Sequence, residues 1–363
     1  MFAEAYRGRR VLLTGHTGFK GGWLTAWLKA LGADTFGYAL APDQPQGIFQ
    51  AAGLESDCHH LIADVNDLAR LKARVDEVKP DIIFHLAAQA LVRRSYDAPL
   101  ETLSTNVMGT AHVLEAVRHA GHKCAVVIVT SDKCYDNREI VWGFRETDAM
   151  GGKDVYSMSK GAAELVTASW RNSYFHPAKF SSHGVALASG RAGNVIGGGD
   201  WAADRIVPDC IAALKSAKPV PVRNPIAVRP WQHVLEPLSG YLHLGARLMG
   251  VGTSTPQAFC EGWNFGPQAE GARTVRELVE AAIASWGSGR WEDRHQPGDK
   301  HEATFLTLNV DKARTHLGWQ PRWDFSTTVA KTVEWYRAQA NGASGADLKA
   351  LTLAHIRAYE AAA

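Results

Sequence analysis

A tyrosine and a lysine four residues apart, Tyr156 and Lys160, form the most informative chemical pattern in this chain. At positions i and i+4 of a helix, the two side chains would share one face. The lysine ammonium would then stabilise a phenolate and lower the tyrosine pKa from about 10. Such a pair could take a proton from an alcohol while hydride leaves the same carbon. Alone, the spacing also fits an amphipathic helix with a half-buried tyrosine and an exposed lysine.

A second polar group, Thr130-Ser131-Asp132-Lys133, follows an apolar run upstream of Tyr156. It places hydroxyl, carboxyl and amine side chains together after a predicted strand, where catalytic residues often lie. The carboxyl and the amine could supply an acid and a base beyond what alcohol oxidation needs. The alternative is that Asp132 and Lys133 only cap the strand end and pair with each other.

Three glycines, Gly15, Gly18 and Gly21, lie between an apolar strand and a helix near the N-terminus. The first permits a positive φ at a tight turn, the second removes bulk where a pyrophosphate approaches, and the third brings the helix close to the strand. Exposed N–H groups and the helix dipole favour an anionic ligand. The pattern alone fits either a dinucleotide site or a tight turn, and the Tyr156/Lys160 pair favours the dinucleotide.

Strand and helix patterns alternate through the first half of the chain. Short, wholly apolar strands between helices predict a parallel sheet covered on both faces. In such a doubly wound α/β fold of Rossmann type, ligands bind at the carboxyl ends of the strands. The predicted strands are 11–14, 35–40, 82–86, 125–130 and 185–187, and the predicted helices are 21–31, 68–78, 102–118 and 155–170.

The pattern changes near residue 190, where glycine and proline become frequent and the alternation ends. We expect residues 1–190 to form a dinucleotide-binding domain and residues 191–363 to form mainly a smaller α/β substrate-binding lobe. A late strand near 263–266 is expected to return to the first domain. Helices are predicted over 274–286, 326–340 and 348–363.

Composition and charge exclude several classes of protein. Hydrophobic residues make up 46% and charged residues 21% of the 363, as in ordinary globular proteins. The 39 Lys and Arg against 37 Asp and Glu, without a dense basic run, argue against a nucleic-acid partner. Five cysteines without Cys-x-x-Cys spacing predict neither disulfides nor zinc, and we interpret His59–His60 as a polar loop, not a metal site. No apolar signal core or membrane span is visible, so a cytoplasmic location is expected.

Six strings together resemble the extended short-chain dehydrogenase/reductase superfamily and, within it, the 4,6-dehydratases that act on CDP-D-glucose. The resemblance runs nearly end to end. Its most specific parts are Thr-Gly-Phe-Lys-Gly within 14–21 and Ser-Asp-Lys-Cys-Tyr at 131–135. The other four strings are 156–160, 191–200, 229–233 and 317–323.

The resemblance implies an NAD-dependent conversion of CDP-D-glucose to CDP-4-keto-6-deoxy-D-glucose, a step in deoxysugar biosynthesis for surface polysaccharide such as lipopolysaccharide O-antigen. Tyr156, assisted by Lys160, would take the C4 hydroxyl proton, and Ser131 would hydrogen-bond the C4 oxygen. Asp132 would protonate the departing C6 hydroxyl, and Lys133 would remove the C5 proton. Related dTDP-sugar dehydratases carry a glutamate in place of this lysine.

The resemblance also assigns contacts to both ligands. NAD is expected over NADP because the second strand ends without an arginine, although it also lacks an acid. Asp64 would lie at the adenine, while a helix N-cap is the open alternative. For Lys20, an exposed position on a helix turn is the simpler physical interpretation. The cofactor contacts would be Gly15, Thr17, Gly18, Phe19, Lys20, Gly21, Asp64, Val65, Leu86, Ala87, Ala88, Gln89, Asn106, Tyr156 and Lys160, and the substrate contacts Asn194, Arg205, Arg229 and His233.

Two other functions stay open at this point. A sugar-nucleotide 4-epimerase or reductase would use the same tyrosine and lysine but has no need of Asp132 and Lys133. A non-catalytic dinucleotide sensor would keep the fold, but such proteins usually lose the Tyr/Lys pair. In relatives, the helices corresponding to 102–118 and 155–170 pair across a two-fold axis, so a homodimer or homotetramer is expected.

Overall fold

The computed structural model describes residues 3–267, 271–294 and 306–362, and its largest feature is a parallel sheet of seven strands. The strand order is β11-β6-β5-β4-β1-β2-β3, and Leu12 at the centre lies between Phe36 and Ile83. The strands are β1 (Arg10–Thr14), β2 (Asp34–Ala39), β3 (His59–Ile62), β4 (Ile82–His85), β5 (Cys124–Val129), β6 (Val185–Arg191), β7 (Val195–Ile196), β8 (Val220–Val222), β9 (Val228–Pro230), β10 (Gln232–His233), β11 (Gly262–Asn264), β12 (Ala272–Thr274) and β13 (Trp291–Asp293).

Helices cover both faces of this sheet. The α-helices of the described residues, some of which pack away from the sheet, are α1 (Ala3–Tyr6), α2 (Phe19–Ala30), α3 (Ile48–Ala51), α4 (Leu68–Val78), α5 (Val92–Asp97), α6 (Pro99–Leu103), α7 (Gly109–Ala120), α8 (Val155–Ser173), α9 (Phe180–His183), α10 (Ile206–Lys215), α11 (Leu235–Leu248), α12 (Val275–Trp286), α13 (Phe325–Ala340) and α14 (Gly345–Ala361).

Alternate residues of each central strand enter two separate cores because side chains point to opposite faces of a strand. Val127 of β5 packs in the core that contains α2 and α11, whereas Val126 and Ile128 pack in the core that contains α4 and α7. All six residues of β5 are buried. The doubly wound α/β fold expected from the wholly apolar runs is therefore confirmed.

The second half of the chain also contributes to the first sheet. As expected for 263–266, β11 joins the sheet, where Trp263 pairs with Gly190 of β6. Helix α11 packs against β5 and β6, and α14 packs against α2. The remaining short strands form three separate two-stranded sheets, β10-β7, β12-β9 and β13-β8.

Two local predictions were wrong. The predicted helix 102–118 is interrupted by a π-helical turn, Ser104–Met108, where Gly109 meets Val65 closely enough that a Cβ would lie 2.9 Å from the valine methyl. His59 and His60 lie in β3, not in a loop. Because β3 is the edge strand, both histidines are exposed, and the segment is therefore as polar as a loop.

Membrane spans and metal clusters can be assessed over the residues described. Across 3–267, 271–294 and 306–362, no helix has the length and apolar character needed to cross a bilayer. Within the same residues, no three His, Cys, Asp or Glu side chains are grouped as a metal site would require.

Candidate active site

The glycine turn after β1 has the shape that a dinucleotide needs. Gly15 has φ +74°, and a Cβ there would lie 2.7 Å from the backbone nitrogen of Ala87. A Cβ on Gly21 would lie 2.0 Å from the carbonyl oxygen of Gly15, so only glycine lets α2 start this close to β1. Gly18 is the N-cap of α2 and has no side chain to cover the helix end. This bare positive end is where a pyrophosphate would fit.

The polar residues predicted to lie near the adenine are held by local contacts. Thr17 donates its hydroxyl to the carbonyl of Leu40 at 2.9 Å. Asp64 Oδ1 accepts from the backbone nitrogen of Asn66 at 2.9 Å. The N-cap of α4 is Asp67, which accepts from the backbone nitrogen of Arg70 at 3.0 Å. The capping alternative for Asp64 is therefore wrong, and the residue stays a proposed cofactor contact.

The loop after β4 is fixed from both sides. Ala87, which lies with Leu86 and Ala88 in a half-buried stretch, donates its backbone N–H to Thr14 Oγ1 at 3.2 Å. Gln89 and Asn106 are buried and bond each other twice, at 2.9 and 3.0 Å. Asn106 also donates to Ser159 on α8 at 2.8 Å. The Asn106 side chain thus holds the loop in place through the Gln89 backbone, whereas Val65 is a buried core residue beside it.

Helix α8 brings Tyr156 to the carboxyl end of β5. Asp154 caps this helix by accepting from the backbone nitrogen of Ser157 at 2.9 Å. Tyr156 is buried, and its phenol lies close enough to Ser131, which follows β5, for that hydroxyl to lower the Tyr156 pKa. The Ser131 hydroxyl also bonds Asp132 Oδ1 at 2.9 Å. A phenol, a hydroxyl and a carboxyl thus form one connected group.

Burial dominates the acidity of the tyrosine and the lysine. It raises the pKa of Tyr156 to about 12, although the Ser131 hydroxyl and the Arg205 charge lower it. Burial lowers the pKa of Lys160 to about 8, against the charge of Glu164, which raises it. The expectation that the lysine would leave Tyr156 below 10 is wrong for this structure, because removal from water disfavours the phenolate more than nearby cations favour it.

Asp132 is held from three directions. Its Oδ2 accepts from the side-chain amide of Asn194 at 3.0 Å, and a Cβ on Gly193 would lie 1.9 Å from its carboxyl carbon. Ser131, not Asp132, caps the short turn that follows by accepting from the backbone nitrogen of Lys133. In the described part of the chain, neither carboxylate oxygen pairs with the half-buried Lys133 side chain. The cap-and-pair alternative for Asp132 and Lys133 is therefore wrong.

Lys20, on the first turn of α2, lies near Asp132, Lys160 and Arg205, and the space around these residues and Tyr156 is the active-site cleft. It is half-buried, and its ammonium lies 5.8 Å from the ring centre of Tyr241. Burial, together with the charges of Arg205 and Lys160, lowers the Lys20 pKa to about 7. The interpretation of Lys20 as an exposed surface lysine is therefore wrong.

The four residues expected to bind substrate lie in different places. Arg205, paired with Asp200 at 2.6 Å, is close enough to Tyr156 to affect its pKa, and Asn194 contacts Asp132. Arg229 lies in β9 and donates to the carbonyl of Val228 at 2.9 Å.

His233 is not in the cleft, so its expected role is wrong. It is fully buried, with Trp23 and Trp323 at ring distances of 5.5 and 4.8 Å, because β10 turns its side chain into the aromatic core. The Phe19 side chain lies beside Gly197, a residue of the loop that follows β7.

Sequence reasoning missed three buried residues around the site. Tyr241 forms part of its floor, next to Gly190 and Lys20. Glu164 and Arg191 form a buried ion pair of 2.8 Å behind Ser131. The sequence offered one indication of Glu164, which is an acidic residue one helical turn after Lys160. It offered none for Tyr241 and Arg191, because their partners are set by tertiary contacts.

Comparisons with known proteins agree with this geometry. A family profile described as GDP-mannose 4,6 dehydratase matches residues 12–332. The CDP-glucose 4,6-dehydratase of Salmonella typhimurium is 50% identical over 340 residues, which cover 93% of each chain.

Two solved structures share the fold. An epimerase from Methanothermobacter thermautotrophicus, 24% identical, superposes with a TM-score of 0.79 over 93% of this chain and 95% of its own. The dTDP-glucose 4,6-dehydratase of Bacillus anthracis in complex with NAD, 19% identical, gives 0.76 over 92% of this chain and 98% of its own. The profile spans most of the sequence and the fold agrees with it: the chain belongs to the GDP-mannose 4,6 dehydratase family.

Proposed function

We propose that this protein uses NAD to convert CDP-D-glucose into CDP-4-keto-6-deoxy-D-glucose and water. The observation that carries the proposal is the group Tyr156–Ser131–Asp132, in which a buried carboxyl lies next to the residues that would act on the C4 hydroxyl. An epimerase needs the phenol and the hydroxyl but has no task for this carboxyl. The 50% identity to the Salmonella CDP-glucose 4,6-dehydratase supports the same substrate.

Oxidation at C4 is the first task of these residues. Tyr156 takes the proton of the C4 hydroxyl, and Ser131 hydrogen-bonds the same oxygen. Burial lowers the Lys160 pKa to about 8 and the charge of Glu164 raises it, so at neutral pH the ammonium form predominates. NAD, when bound, would accept hydride from C4 and return it later to C6. The glycine turn and the half-buried loop after β4 fit such a dinucleotide.

Elimination of water follows once C4 is a ketone, because the C5 proton is then acidic. Lys133 takes that proton as a base, and Asp132 gives its own proton to the C6 hydroxyl, which leaves as water. The product of this step is a C5=C6 double bond conjugated with the ketone. When hydride reaches C6, a proton returns to C5, which leaves a 4-keto-6-deoxy sugar.

The diphosphate of the substrate needs cationic partners. Arg205 lies near Tyr156 and keeps part of its side chain exposed, so we assign it to one phosphate. Arg229 is assigned to the other because a planar guanidinium can bind a phosphate with two parallel hydrogen bonds.

Product analysis tests the proposal. The protein is incubated with NAD and, in parallel, CDP-, UDP- or dTDP-glucose, and the products are identified by mass spectrometry and by the absorbance of a 4-keto sugar in alkali. We expect CDP-glucose to lose one water, with no net NADH. Accumulated NADH would indicate a one-way dehydrogenase, an isomer of unchanged mass would indicate an epimerase, and no reaction would indicate a sensor.

A second copy of the chain is the partner we propose. Leu100, Met108, Leu165 and Tyr174 are large apolar or aromatic side chains exposed on α6, the adjoining π turn and α8 or its end. Because α6 and α8 pack together, a two-fold partner would cover these side chains in a homodimer. The five unpaired cysteines fit the reducing cytoplasm in which we place the enzyme.

A further inference from the structure

Glu164 is a fully buried carboxylate that accepts hydrogen bonds from three side chains. It lies one turn after Lys160 on α8, and its side chain is 4% exposed. Oε1 accepts from the Thr130 hydroxyl at 2.5 Å, and Oε2 accepts from the Ser189 hydroxyl at 2.7 Å and from Arg191 at 2.8 Å. Burial opposes its ionisation, but Arg191 and the hydroxyls hold the Glu164 pKa below its ordinary value. It is therefore a carboxylate in the folded protein.

These bonds reach both ends of the segment that carries the proposed acid and base. Thr130 is the residue directly before Ser131. At the other end, Tyr135 accepts from Arg191 at 2.7 Å, and Arg191 is the ion-pair partner of Glu164. The Tyr135 hydroxyl in turn donates to Asn264 of β11 at 2.7 Å. One carboxylate thus fixes the start of the segment directly and its end through the guanidinium.

The helix that holds Glu164 also holds the residues that must meet this segment. Tyr156 and Lys160 lie two turns and one turn before it on α8. A change in the distance between α8 and the 130–135 segment would separate Tyr156 from Ser131. We propose that Glu164 is a positioning residue that sets the register between α8 and residues 130–135 through Thr130 and through Arg191–Tyr135. Its catalytic consequence rests on the proposed dehydration.

The test uses three variants that break this connection in different places. Glu164→Gln removes the charge, Thr130→Val releases the start of the segment, and Tyr135→Phe releases its end. We expect Glu164→Gln to lower kcat about 100-fold, because a displacement of about 1 Å can cost that much, while KM changes little. Thr130→Val and Tyr135→Phe each release only one end of the segment, so each should lower kcat about tenfold with KM unchanged.

Glu236→Gln is the matched control. Glu236 is also a buried glutamate, and it accepts hydrogen bonds from the backbone of Arg322 and Trp323 and from the Tyr359 hydroxyl, none of which lies in the cleft. We expect this variant to lose thermal stability and keep its kcat. Hydrogen exchange of the whole protein, followed by mass spectrometry, is measured for both glutamine variants. Peptides covering 130–135 should exchange faster in Glu164→Gln and at the wild-type rate in Glu236→Gln.

Each result bears on the proposal. A Glu164→Gln enzyme with wild-type kcat, or one whose exchange rises equally everywhere, would overturn the positioning role. If that variant does not fold, Thr130→Val and Tyr135→Phe decide, and wild-type kcat in both would overturn it. Should the wild-type protein convert no sugar nucleotide, the proposed function fails separately. Unchanged exchange of 130–135 in the variants would still reject the positioning role, and faster exchange would still support it.

Discussion

The side-chain amide of Asn194 donates to Asp132 Oδ2 at 3.0 Å, across 62 residues of sequence. With the Ser131 hydroxyl on Oδ1, both oxygens of the carboxyl have a fixed partner. The sequence suggested a direct contact between Asn194 and the substrate. The structure gives this amide a contact within the protein that would orient the proposed acid, and its contact with the substrate stays a prediction.

Removal of this amide should affect the rate more than binding. Asn194 has φ +51°, so glycine can replace it without backbone strain, whereas alanine adds that strain. We expect Asn194→Gly to lower kcat about 10- to 100-fold by leaving Asp132 loosely oriented, with little change in KM. Steady-state kinetics with CDP-glucose measure both constants. A raised KM at unchanged kcat would instead support the direct substrate contact.

Ser131 should set the pH at which Tyr156 becomes a base. Its hydroxyl lowers a pKa that burial has raised to about 12, so its loss in Ser131→Ala leaves that pKa higher. At a given pH, less phenolate is then present, and the acidic limb of the kcat profile moves to higher pH by about one unit. Ser157→Ala, beside Tyr156 but bonded to Asp154 at 2.6 Å, is the control. A limb that stays in place in Ser131→Ala would contradict this electrostatic role.

Alanine substitutions at the glycines of the turn after β1 should affect folding at one position and cofactor binding at another. A Cβ on Gly21 would lie 2.0 Å from a backbone oxygen, whereas one on Gly18 would lie 3.4 Å from the same atom. We expect Gly21→Ala to cost about 3 kcal/mol of unfolding free energy because the backbone must shift. Gly18→Ala should keep the wild-type melting temperature but bind NAD more weakly, since its methyl group would face the proposed position of the pyrophosphate. Thermal melts and NAD titration test both, and tight NAD binding by Gly18→Ala would place the pyrophosphate elsewhere.

The proposed dimer face should be sensitive to a single charge. Leu165 on α8 is 61% exposed, and we expect Leu165→Glu to sediment as a monomer. The control is Ile226→Glu, because Ile226 is 69% exposed but lies between β8 and β9, away from α8. Analytical ultracentrifugation distinguishes the species. If the wild-type protein is itself monomeric, or Leu165→Glu stays dimeric, the partner surface is not this one.

Buried periodic elements were predictable from the sequence. The bounds of α4 were predicted to the residue, and those of β5 within one residue, because their apolar patterns are set by burial against a single sheet. The glycine turn and the Tyr156/Lys160 pair were also found, since local geometry restricts the residue types there. These features needed no knowledge of distant contacts.

The rest depends on contacts that sequence spacing does not encode. The bond between Asn194 and Asp132, the core position of His233 and the network of Glu164 arise where separate elements meet. The direction of the Tyr156 pKa shift was missed for the same reason, because depth of burial is a property of the whole fold. Short strands such as β7 and β10 carry too few residues for a period to be visible.

The fate of the hydrogen on C4 tests the dehydratase account most directly. CDP-glucose carrying deuterium at C4 is incubated with the protein and NAD in ordinary water, and the product is examined by NMR. We expect the deuterium at C6 of a 4-keto-6-deoxy sugar and a solvent proton at C5. Deuterium that remains on C4 of a hexose, or that is found in accumulated NADH, would contradict the account.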